Sequence, residues 1–196
     1  RLVRRDLASG TEEPLLPSGT FQQALDVTPD GRRLLFSQSG EKSRWGLWTL
    51  SLNGPASPIP VVVSSRVQEI GRLSPDGRFL AYISDESGRP EAYVLQTGTS
   101  AASTRVSVTG ASLLRWSRDG AEILFTSPGQ ELFSAPVATS PSLRVGTPQR
   151  LFALPPGGWR AFDVSADSRF LASVPQIASA TQPVRVALNW TSEIPK

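Results

Sequence analysis

The sequence predicts an all-β fold, a β-propeller of about four four-stranded antiparallel blades in a partial or small ring, and three observations predict it. A turn tetrapeptide recurs at blade-length spacing. Apolar residues two apart follow each copy. Gly and Pro, 16 and 17 of the 196 residues, are scattered along the whole chain, as many short strands joined by many turns require. No segment of helical period competes with this pattern.

The turn is Thr28-Pro29-Asp30-Gly31, repeated as Ser74-Pro75-Asp76-Gly77, as Ser117-Arg118-Asp119-Gly120 and, worn, as Ser165-Ala166-Asp167-Ser168. The aspartates step by 46, 43 and 48 residues, the period of one propeller blade. Pro presets φ for the first central position, Asp bonds back to the main chain, and Gly supplies the positive φ that follows. Each copy therefore joins two antiparallel strands.

The strands follow in order. Residues 24–27, 70–73, 113–116 and 161–164 precede the turns. After them come the pairs Leu34/Phe36, Leu80/Tyr82, Ile123/Phe125 and Leu171/Ser173, each on one face of a strand by period two. Third strands are expected over Gly46–Leu52, Glu91–Gln96, Glu131–Ala135 and Val184–Trp190, and fourth strands over Ile59–Ser64, Thr104–Val108 and Arg150–Phe152. Leu2–Leu7 and Pro14–Leu16 read as the last strands of an earlier blade. The chain is then one propeller segment, 1–196. It divides into the end of a preceding blade (1–19), three blades (20–65, 66–109, 110–155) and a terminal partial blade (156–196). Two layouts follow: the first strands complete the last blade and close a small ring, or the chain is an arc of a larger ring. The arc is preferred, because such small rings lie at the edge of the known range. An arc exposes strand edges and apolar faces, which invites self-association.

Composition narrows the function. There is no His and no Cys, so a Ser-His-Asp site, a thiol nucleophile and a thiolate metal site cannot be built from this chain alone. No cofactor and no metal is expected. A net charge of +3, with no basic run longer than Arg4-Arg5 or Arg32-Arg33, argues against nucleic acid as a partner. No stretch approaches the roughly 20 apolar residues of a membrane span, so no membrane insertion by this segment is expected. The sequence begins at Arg1 and holds no Met, which reads as a fragment or processed product. Protein or peptide partners remain, and the chain is expected to be non-enzymatic.

The run from Leu73 to Asp85, continuing through Gly88 to Glu91-Ala92-Tyr93-Val94, resembles the TolB-type propeller repeat, a WD-repeat-like blade. More narrowly, residues 163–165 and 169–171, then Pro183-Val184 and Leu188-Asn189-Trp190, are similar to the end of propellers fused to bacterial Ser/Thr protein kinases. This resemblance implies an extracytoplasmic sensor or interaction module. The kinase motifs themselves, a Gly-rich loop with a following Lys and a His-Arg-Asp loop, are absent from this chain. The alternative is the gating propeller of a prolyl-oligopeptidase-like peptidase, which needs a Gly-x-Ser-x-Gly elbow that this chain does not contain.

Aligned on the turn, one inner-strand position carries only charge: Asp26, Arg72, Arg115 and Asp163. Inner strands line a propeller's channel, so this column is the candidate ligand site, for an anion or a peptide. The plainer role, and the favoured one, is pairing of these charges between neighbouring blades. Asp30, Asp76, Asp119 and Asp167 are one per blade in turns, too far apart for paired-carboxylate catalysis. Trp159, after Pro155-Pro156-Gly157-Gly158, is the candidate exposed aromatic contact.

Overall fold

The computed structural model describes residues 1–17, 19–39, 45–64, 67–99, 102–165, 167 and 169–175. A hairpin of β1 (Val3–Arg5) and β2 (Glu12–Pro14) comes first. A four-stranded meander follows, of β3 (Gln22–Val27), β4 (Arg33–Ser39), β5 (Trp45–Ser51) and β6 (Ile59–Ser64). The second meander is β7 (Val67–Leu73), β8 (Phe79–Ser84), β9 (Glu91–Gln96) and β10 (Thr104–Arg105). The third is β11 (Leu113–Trp116), β12 (Glu122–Thr126) and β13 (Glu131–Ala138), whose outer edge is shared by β14 (Arg144–Val145) and β15 (Gln149–Ala153). Strands β16 (Ala161–Val164) and β17 (Phe170–Ser173) form the terminal sheet. All pairings are antiparallel, and the first strands β3, β7, β11 and β16 touch in series.

The repeated turns are built alike. In the first, the Thr28 hydroxyl donates to Asp30 Oδ1 (2.6 Å), which also accepts the Arg32 N–H (3.0 Å). The Arg33 N–H returns to Thr28 Oγ1 (3.0 Å). Ser74/Asp76 and Ser117/Asp119 repeat the arrangement. Gly31, Gly77 and Gly120 sit at φ 67°, 70° and 72°, a region that a Cβ disfavours. The turns also nest: a Cβ on Gly77 would lie 3.5 Å from Pro29 Cδ, and one on Gly120 3.3 Å from Pro75 Cδ. Pro and Gly thus serve one turn internally and the neighbouring turn externally.

Among the described residues, four apolar cores lie between successive sheets. Leu2 and Leu16 of the first hairpin pack on Leu34, Phe36 and Leu50. Leu35 and Leu47 turn the other way, onto Leu73, Leu80, Tyr82, Tyr93 and Leu95. Phe79, Ala81, Ile83, Ala92 and Val94 meet Leu114, Trp116, Ile123 and Phe125. Leu124, Leu132 and Leu154 meet Phe162 and Val164. Strand alternation explains the plan: one face of β4, β8 and β12 serves the preceding sheet and the other the following one. Each fully buried large side chain contributes about 1.5–3 kcal/mol.

Three expectations need correction. The strand predicted over Thr104–Val108 ends at Arg105, because the buried Glu91 carboxylate takes the Ser107 hydroxyl and the Gly110 N–H (2.9 Å). Strand β14 carried no sequence signal, and β13 runs three residues beyond the predicted Ala135. In the terminal sheet the pair facing the preceding blade is Phe170/Ala172, while Leu171 is 66% exposed. Trp116 pairs with Ile123, seven residues on, whereas Val164 pairs with Phe170, six residues on. One residue fewer in the turn moves every later side chain to the opposite face. The predicted strand Val184–Trp190 lies outside the described residues.

Candidate functional site

The inner strands bring Asp26, Arg72, Arg115 and Asp163 to one open cavity of about 550 Å³. Its rim is the turn face: Val27, Pro29, Ser74, Pro75, Ser117 and Arg118. The cavity therefore lies where the inner strands meet the turn face, and the repeated turns that set strand register also set the spacing of the charges.

The charges are satisfied differently from the expected side-chain pairing. Asp26 accepts the Val27 N–H on Oδ1 (2.9 Å) and, from the next sheet, the Leu73 N–H on Oδ2 (2.9 Å). Arg72 answers in the other direction, donating from Nη1 to Leu25 O (3.1 Å) and to Gly71 O (2.7 Å). Trp116 Nε1 donates to Arg72 O (3.1 Å), joining the second and third sheets. The sheets are stapled by side chain to main chain, not by ion pairs along the column. Arg115 donates from Nη1 to Leu114 O (2.8 Å) and lies over the Phe162 ring, 5.6 Å from its centroid. Asp163 Oδ1 accepts the Val164 N–H (2.9 Å).

Sequence reasoning missed Arg118. It occupies the place that Pro29 and Pro75 hold in the first two turns, and that substitution is the available signal. Its Nε donates to Val164 O (3.0 Å), and Nη2 stands 3.9 Å from Asp163 Oδ2. Burial lowers the Arg72 pKa against the opposing pull of Asp26 and Asp163. Burial and then the like charge of Arg72 lower that of Arg115, against the same two carboxylates. Both stay protonated at any ordinary pH, so among the described residues the cavity brings together three arginines and two aspartates.

The expected exposed aromatic is placed elsewhere. Trp159 is half-buried and packs with Phe162 (5.3 Å between ring centroids), Phe170 (5.9 Å) and Phe152 (6.0 Å). It belongs to the core between the third and terminal sheets. Gly157-Gly158 delivers the chain to that core rather than to a surface loop.

No protein-family model and no curated protein matches this sequence. Among solved structures, TolB from Acinetobacter baumannii superposes with a TM-score of 0.69 at 19% identity, covering 90% of this chain and 43% of that one. A putative TolB from Agrobacterium tumefaciens gives 0.65 at 23% identity, with 84% and 57% covered. The fold is a TolB-like β-propeller. A third propeller, the β-propeller domain of the Trilobed protease from Pyrococcus furiosus, gives 0.52 at 16% identity, with 84% and 51% covered. This propeller chain spans about half the length of each of these structures.

Proposed function

We propose that this propeller segment is a non-catalytic module that holds a protein or peptide partner at the mouth of its channel. The convergence of Asp26, Arg72, Arg115 and Asp163 in one open cavity carries the proposal. Sheets fixed by buried cores and inter-sheet staples display a rigid rim, and a rigid rim limits the ordering cost of binding. Both carboxylates are engaged with main-chain N–H groups, which fits holding a ligand better than moving its protons. The test is a photo-crosslinking residue placed at Ser117 on the rim or at Ser51, away from the cavity. In extract from the source organism, a defined adduct from the rim position alone supports the proposal; equal labelling from both positions overturns it.

The resemblance to kinase-fused propellers supports a sensor or scaffold role within a larger signalling protein. A second reading rests on the likeness to the propeller domain of the Trilobed protease: the segment belongs to a peptidase, and the mouth screens its substrates. The flanking coding sequence separates the two, through a kinase domain or a hydrolase with its Gly-x-Ser-x-Gly elbow.

A further inference from the structure

The charges at the mouth are not equally available. Asp26 has both oxygens on main-chain N–H groups, and Asp163 has one there and the other facing Arg118. Arg72 and Arg115 each commit only Nη1 to protein carbonyls. Among the described residues, their Nε and Nη2 groups meet no protein acceptor. Both side chains are half-buried, and Phe162 supports the Arg115 guanidinium from one side. Two fixed, partly desolvated guanidiniums with free donors are the usual receptor for a planar, bidentate anion. The apolar rim of Val27, Pro29 and Pro75 gives an attached chain a surface to lie on.

Resting on the channel-mouth reading above, we propose that the group this site selects is a peptide carboxylate, seated by Arg72 and Arg115. Such a carboxylate replaces the solvation that burial takes from the two guanidiniums and relieves the repulsion between them. It has two sources, a chain terminus or an Asp or Glu side chain, which offer the same chemistry.

The test immobilises the full 196-residue chain and passes three pools of random octapeptides over it. One pool has free C-termini but no Asp or Glu; one is C-terminally amidated with Asp and Glu; one is amidated without either. Enrichment of the first pool over the third assigns a chain terminus, and enrichment of the second assigns an acidic side chain. Arg115→Gln is expected to weaken retention about ten- to a hundredfold, the worth of a hydrogen bond to a charged group, with partial rescue by Arg115→Lys. Should Arg115→Gln melt early, raising the salt over the unaltered chain gives an independent readout, since ionic retention must fall. Equal retention of all three pools overturns the carboxylate inference and leaves the channel-mouth proposal standing. Retention of none overturns both.

Discussion

At the scale of residues, the short polar side chains are spent on the main chain. The turn aspartates show this best. The Thr28 hydroxyl and the Arg32 N–H hold Asp30 below its ordinary carboxylate value of 3.8. Asp119 and Asp167 are lowered chiefly by the Ser117 and Ser165 hydroxyls. At Asp76 burial pulls upward and is outweighed by hydrogen bonds from Ser74 and Arg78. A carboxyl whose folded value is depressed stabilises the fold above its unfolded value and loses that contribution as pH falls through the folded one. Stability is therefore expected to hold down to about pH 4 and to decline below it. Thermal melts from neutral to acid pH read this directly. Asp76→Asn should flatten the acid limb, and an unchanged limb would mean that the turns do not set it.

At the scale of elements, the loop leaving β10 is fixed by packing as much as by hydrogen bonds. Gly110 has φ 93°, and a Cβ there would stand 2.8 Å from Pro128 Cδ. Gly157 repeats the contact against Pro175, at 2.9 Å from Cγ. Gly110→Ala is expected to cost about 1–3 kcal/mol through backbone strain and the clash, measured as a lower denaturant midpoint; Gly88→Ala, with open space around it, isolates the backbone part. Much of this architecture was legible in the sequence, because strand alternation and the Ser/Thr-Pro-Asp-Gly turns mark elements locally. The charge column was legible for the same reason, since the turn fixes register. The partners of that column were not. The main-chain atoms that Asp26 and Arg72 bond across the sheets lie 47 residues away, and no side-chain pattern announces a main-chain donor or acceptor. Trp159 was misplaced because the glycines before it look the same whether they lead to solvent or to a core. Strand β10 was overdrawn because the carboxylate that ends it, Glu91, lies on the neighbouring strand.

At the scale of the molecule, four cores in series make a nearly one-dimensional structure, whose stability is a sum of neighbouring interfaces. The core between the second and third sheets is the largest, and the first hairpin and terminal sheet each lean on one interface only among the described residues. Amide hydrogen exchange is expected to be slowest in β8, β9 and β12 and fastest in β1, β2, β16 and β17. Uniform protection across all sheets would show instead that the segment opens as a single unit. The shortened turn between β16 and β17 bears on modularity. The other hairpins are interchangeable parts, since equal turn lengths leave their inward and outward faces in phase. The terminal hairpin is out of phase by one residue. It still presents Phe170 where its neighbours present Ile123, Leu80 and Leu34, because Phe170 stands opposite Val164 as Ile123 stands opposite Trp116. A glycine added to that turn would give it the seven-residue interval of the other hairpins with Phe170 still opposite Val164, so Phe170 would stay in the joint and Leu171 in water.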